Sequence, residues 1–173
     1  MDTITLCKLV CGDNKMKKKF GGVFASDTLP KYKQNFSKFI VNLDGKRLSG
    51  SHWCVIMFKQ EKALFIDSYG HPPTVKTILQ FMKRNSKEIF YNPICYQDDM
   101  TTTCGAFCLY FLYTFSRNMP FVGLKSFNKL HNEKFIRKFV KTLKFSKCCF
   151  QHFTTYQSCV ALANSYTQYQ ITS

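Results

Sequence analysis

The sequence predicts an α+β fold: a central mixed or antiparallel sheet flanked by helices, with one apolar helix buried against it and starting at a cysteine. Three observations carry this prediction. Two apolar runs, 53–58 and 63–67, flank the polar stretch Lys59-Gln60-Glu61-Lys62, the pattern of a β-hairpin. From Cys104 to Ser116 the chain bears no charge, as in a helix that is apolar all round and central to a core. Residues 127–145 place Phe135, Ile136, Phe139, Val140 and Leu143 on one helical face and basic residues elsewhere, the pattern of an amphipathic surface helix.

The remaining elements follow in chain order. Residues 3–11 alternate poorly and fit either a short helix or a short strand. The stretch M-K-K-K-F-G-G-V-F-A-S-D-T-L-P reads as a loop punctuated by Gly and Pro. F-S-K-F-I-V-N-L-D-G reads as a strand ending at the Asp44-Gly45 turn. In the hairpin, folding the chain about its polar loop brings residue 52 opposite a residue near 67. Facing Cβ atoms then lie about 5 Å apart. Beyond His71-Pro72-Pro73, the spacing of Val75, Ile78, Leu79 and Met82 predicts a helix, and residues 88–97 read as a strand that feeds the cysteine loop. Thr102 or Thr103 is placed to cap the apolar helix. Residues 150–173, rich in Gln, Thr, Ser and Tyr, are expected to fray at the end.

At 173 residues, 45% hydrophobic and with 18 phenylalanines, the chain fits a single domain over 1–173 with a sizeable core. No apolar stretch approaches the roughly 18 residues of a membrane span, which argues against a membrane protein. The N-terminus lacks the basic start and cleavage site of a secretory signal. Nine cysteines without such a signal read as reduced intracellular thiols, most of them small buried hydrophobes. Cys148, Cys149, His152 and Cys159 cluster, but their spacing matches no common zinc finger, so no metal site is expected. Net charge is +15, and between Arg117 and Lys147 nine basic residues face one acid, Glu133. A surface of this sign attracts polyanions; Lys134, Arg137, Lys138, Lys141 and Lys144 on the last helix are the candidate DNA-binding residues.

Four residues stand in contexts suited to covalent catalysis. His52 sits in G-S-H-W at the start of the first hairpin strand, and Asp67 ends the second, so both reach one edge. A loop histidine by itself is usually an ordinary polar residue; the matching position of Asp67 reverses that preference. Cys104 opens the apolar helix, where the helix dipole favours a thiolate. A thiol attacks only as thiolate, and an imidazole held by a carboxylate supplies the activation. Cys108, one turn further in, should be an inert core thiol. Gln97, seven residues before Cys104, could aim its amide at the developing oxyanion together with the Cys104 backbone N–H. Taken alone it would be a surface glutamine in a polar loop.

G-S-H-W, an acid ending the following strand, and then Q-x6-C-G-x-F-C resemble the adenain family of adenovirus maturation proteases, part of the broader group that includes SUMO-processing proteases. The Gln97-to-Cys104 interval, Thr103 before the cysteine, and the segments F-G-G-V-F-A-S-D-T-L-P-K-Y and F-I-V-N-L-D-G-K-R-L-S-G-S-H-W favour the adenain branch. The likeness covers roughly residues 18–116. It implies a cysteine endopeptidase in which His52 is general base and then acid, Asp67 orients its imidazolium, Cys104 is the nucleophile and Gln97 the oxyanion donor. Gly50, Ser51 and Trp53 would line the substrate, with Trp53 packing beside the site. Adenovirus enzymes often carry glutamate where Asp67 stands. The resemblance further implies cleavage of viral precursor proteins next to glycine, in the virion and host nucleus, by a monomer that needs no cofactor for its chemistry. It implies stimulation by DNA and by a disulfide-linked viral peptide. No cysteine occupies the expected peptide-linking position, Cys95 being the nearest. The chain is also shorter than the adenovirus enzymes, which points to another double-stranded DNA virus or a virus-derived mobile element. Two other readings remain: a protease of ubiquitin-like modifiers using the same chemistry, and a non-enzymatic basic DNA-binding virion protein.

Overall fold

The computed structural model describes residues 1–146. The expected fraying of 150–173 and the cluster of Cys148, Cys149, His152 and Cys159 lie outside the described residues. Helices α1 (Thr3–Cys11) and α2 (Asn14–Lys17) precede strands β1 (Phe20–Ala25), β2 (Lys38–Asn42), β3 (Trp53–Lys59) and β4 (Lys62–Ile66). Helix α3 (Lys76–Asn85), strand β5 (Glu88–Tyr91) and helices α4 (Cys104–Phe115) and α5 (Lys129–Thr142) complete the order. The five strands lie in sequence order in one mixed sheet. β2, β3 and β4 are antiparallel, while the two outer pairs, β1 with β2 and β4 with β5, are parallel. The architecture is the α+β class that the sequence predicts.

The strands sort their side chains by the two-residue period of a pleated sheet. Val55 and Met57 of β3 join the core formed with α1, α4 and α5, whereas Cys54, Ile56 and Phe58 join the core under α3. The sheet is therefore covered on both faces, which explains why β2 and β3 read as continuous apolar runs. Helix α4 lies against β3. Its Phe107, Leu109, Phe111 and Leu112 are fully buried, and each such side chain contributes about 1.5–3 kcal/mol of burial. That burial leaves only Tyr113 and Phe115 of α4 partly exposed, so a charge between Cys104 and Leu112 would have no water.

One open local expectation is settled and three are revised. Residues 3–11 form a helix, capped by the Asp2 carboxylate accepting from the Thr5 N–H at 2.7 Å. The supposed glycine loop contains β1, because Gly21 lets the Phe39 ring pack directly on the backbone; a Cβ there would meet the ring at 2.2 Å. Thr103 is the N-cap of α4, yet its hydroxyl bonds Glu133 instead of the helix. The last helix also ends at Thr142, just short of Lys144. Among the described residues, no helix is long and apolar enough to cross a membrane.

Candidate active site

The hairpin register decides what meets His52. The β3–β4 ladder pairs Lys59 with Lys62 and ends at Val55 with Ile66. Continued past its end, that register sets Cys54 opposite Asp67 and His52 opposite Tyr69. His52 and Tyr69 do stack, with ring centroids 4.8 Å apart and planes at 26°. Asp67, one pleat back, reaches across to the same imidazole: His52 Nε2 lies 2.6 Å from Asp67 Oδ1. The Tyr69 backbone N–H donates to the same oxygen at 2.9 Å, and His71 Nδ1 lies 3.3 Å from the other carboxylate oxygen. Gly70 makes this tight turn possible. Its φ of +79° is left-handed, and a Cβ would meet the Pro93 carbonyl at 2.8 Å.

Since Nε2 is taken by Asp67, the His52 bond to the Cys104 thiol falls to the other ring nitrogen, Nδ1. Cys104 Sγ also accepts from the backbone N–H groups of Trp53 and Gly105. Three distant stretches of chain thus place sulfur, imidazole and carboxylate in one continuous hydrogen-bonded row. His52 and Cys104 are each 8% exposed and Asp67 1%, so the row is shielded from solvent, most completely at the carboxylate.

The electrostatics follow from this packing. Burial alone would push the His52 imidazole down, but its bonds to Asp67 and Cys104 outweigh that and carry it up to about 9. Burial likewise opposes the Cys104 thiolate. The His52 bond, the Trp53 N–H and the imidazolium charge reverse the balance and hold the thiol below its ordinary value. Asp67 stays below the usual carboxylate range despite burial, through its bonds from His52 and the Tyr69 N–H. The arrangement favours an imidazolium–thiolate pair over two neutral groups. Cys108 behaves oppositely: complete burial pushes its thiol well up, as an inert core residue requires.

Gln97 is fully buried beneath the site, not on the surface. Its carbonyl accepts from the Ser68 hydroxyl at 2.6 Å, and its Nε2 donates to the Tyr69 hydroxyl and the Thr101 carbonyl, both at 3.0 Å. Gly50 and Trp53 line a cleft of about 710 Å³ beside the row, together with Asp2, Asp44 and Lys46. Ser51 turns elsewhere, its N–H donating to Asn42 Oδ1 at 3.3 Å. The Trp53 indole donates to the Met1 carbonyl at 2.9 Å, which fixes it as a wall of the cleft. Lys134, Arg137, Lys138 and Lys141 are exposed on α5, and Lys144 is exposed just beyond it. Cys95 is half-buried, its thiol 3.5 Å from the Gln97 carbonyl.

Two participants escaped the sequence reading. Tyr69 would have been found by extending the hairpin register by two residues. Glu133, the one acid in the basic tail, is buried; it accepts from the hydroxyls of Thr101 at 2.8 Å and Thr103 at 2.9 Å. An isolated acid amid nine basic residues was the available signal. Among the described residues, His52, Cys54 and Asp67 hold the one set of ligand atoms close enough for a metal, all within 4.8 Å. An ion there would have to separate the 2.6 Å His52–Asp67 pair.

No protein-family model matches the chain, and no curated protein matches it by sequence. In three dimensions it is similar to a crystal structure of the ASFV pS273R protease at 15% identity and a TM-score of 0.43, over 64% of this chain and 45% of that one. The selenomethionine form of the same protease gives 15% identity and a TM-score of 0.39, over 56% and 42%. The chain spans less than half the length of the protease it matches.

Proposed function

We propose that this protein is a cysteine endopeptidase of the adenain-like type, cutting viral precursor proteins at glycine-containing sites. The observation that carries the proposal is the unbroken row Cys104–His52–Asp67, with the thiol depressed and the imidazole raised. In this reading the Cys104 thiolate attacks the scissile carbonyl, and the His52 imidazolium then protonates the departing amine. Neutral His52 next takes a proton from water, which hydrolyses the thioester. Asp67 keeps the ring oriented and its cation stabilised throughout. The Cys104 N–H, at the first position of α4, has no acceptor within its helix and serves the oxyanion. Gln97 belongs to the same side of the site. Gly50 and Trp53 would hold an extended substrate along the cleft, with Ser51 beside them.

The test is cleavage of a candidate capsid precursor by the full chain, with products mapped by mass spectrometry. Cys104→Ala should remain folded and lose cleavage by several orders of magnitude; full residual cleavage by that variant would falsify the proposal. Fluorogenic ubiquitin and SUMO conjugates run beside a glycine-rich junction peptide discriminate the substrate class. Preference for the conjugates would reassign the enzyme to modifier processing. The exposed basic residues of α5 support DNA as a partner in the virion or nucleus.

A further inference from the structure

The cleft beside the nucleophile carries polar groups that the fold leaves unused. Two of its walls, Met1 and Trp53, also close on the start of α4. A Cβ at Gly105 would lie 3.1 Å from Met1 Cβ and 3.5 Å from Trp53 Cδ1. The Trp53 backbone N–H donates to Cys104 Sγ. A peptide held at that sulfur therefore has the cleft as its neighbour.

Asn42 is only 5% exposed, yet half of its amide is free. Its Oδ1 accepts from the backbone N–H groups of Asp44 at 2.9 Å and Ser51 at 3.3 Å, which fixes the orientation of the amide. Its Nδ2 donates to no group among the described residues. No sealed side-chain nitrogen or oxygen among those residues lacks a partner, so Nδ2 opens onto space, and that space is the cleft. Gly50 keeps it uncovered: a Cβ there would stand 3.1 Å from Nδ2. Beside it the half-buried Asp44 carboxylate has no hydrogen bond or ion pair among the described residues. The charged side chains of the cleft wall are Asp2, Asp44 and Lys46, an acidic majority in a chain with 25 basic and 10 acidic residues.

We propose that this cleft is a subsite for a basic residue of the substrate, a Lys or Arg close to the scissile glycine. The Asp44 carboxylate takes the cation, and Asn42 Nδ2 donates to a main-chain carbonyl of the same segment. The inference rests on the endopeptidase reading and narrows its substrate class to junctions in which a cation accompanies glycine. A chain of net charge +15 repels a basic peptide at long range, so the attraction has to be local. At contact the half-buried Asp44 is screened less than the distant surface lysines, and its charge decides.

Quenched fluorescent peptides built on one glycine-rich junction, with Ala, Lys or Glu scanned through the flanking positions, read the preference as kcat/KM. At one position Lys should exceed Glu by roughly tenfold, the size expected of one charge-assisted hydrogen bond. Asp44→Asn should abolish that ratio, and Asp44→Lys should invert it, making the Glu peptide the better substrate. If the Lys variant fails to fold, the Asn variant, isosteric with the carboxylate, still decides. Asn42→Asp keeps the oxygen that accepts from Asp44 and Ser51 but turns the donor into an acceptor. In that variant KM should rise for every peptide while Lys stays preferred. Equal rates for Lys and Glu at every position, or a preference that survives Asp44→Asn, would overturn the subsite and leave the endopeptidase intact. An unmoved KM in Asn42→Asp would overturn the carbonyl contact. A wild-type chain that neither turns over any peptide nor is alkylated selectively at Cys104 removes the endopeptidase reading and this proposal together.

Discussion

At His52 two opposed effects meet, and the outcome depends on one oxygen. Burial disfavours the imidazolium, while the 2.6 Å bond to Asp67 and the bond to Cys104 favour it more strongly. Asp67→Asn removes the negative charge and leaves burial to dominate, so the imidazole falls from about 9 and the thiol, deprived of its cation, rises. The ion pair persists only between the thiol's value and the imidazole's; the variant narrows that window from both sides. We expect kcat/KM to drop by about 10²-fold or more at neutral pH, with the alkaline limb displaced to lower pH. A pH–rate profile and a pH series of iodoacetamide labelling measure this; an alkaline limb unmoved near pH 9 would contradict it. His52, Asp67 and Cys104 were legible because each carries a local signature, an edge of a hairpin or the start of an apolar helix. Tyr69 carries none. Its place comes from a register that only the formed turn at Gln60-Glu61 settles.

Among the elements, α5 does more than its amphipathic pattern announces. Its apolar stripe packs on the core, as the spacing of Phe135, Ile136 and Phe139 predicts. On the same helix Asn132 donates to the Tyr96 carbonyl at 3.0 Å, and the Glu133 carboxylate accepts from Thr101, Thr103 and the Asp98 N–H. These bonds brace the loop that carries Gln97 into the nucleophile helix. Glu133→Ala leaves the buried Thr103 hydroxyl without its carboxylate acceptor, at a cost of about 1–3 kcal/mol. A lower thermal midpoint and a roughly tenfold smaller kcat/KM should follow, by melting curves and steady-state kinetics. Unchanged values in both would mean the brace is dispensable. β1 was misread for a related reason: Gly21 looks like loop punctuation until the Phe39 ring that needs its bare backbone is in place.

For the whole molecule, a charge of +15 is a statement about partners and not about fold. Lys134, Lys138 and Lys141 are exposed on one helix, away from the braces that face the site. If they neutralise phosphates, DNA affinity falls linearly in log–log with salt. Replacing all three by alanine then makes that slope shallower by about 0.9 for each phosphate no longer neutralised. Fluorescence anisotropy with duplex DNA across a salt series reads both quantities; binding insensitive to salt would refute the interface. Residue order alone determined the α+β class, the buried α4 and the candidacy of His52, Asp67 and Cys104, because periodicity and local context are properties of short segments. Tertiary structure alone decided the ring nitrogen facing the sulfur, the engaged Gln97 amide, the stacked Tyr69 and the Glu133 brace. Each depends on where segments tens of residues apart come to rest, and hydrogen bonds are decided by such distances and not by sequence spacing.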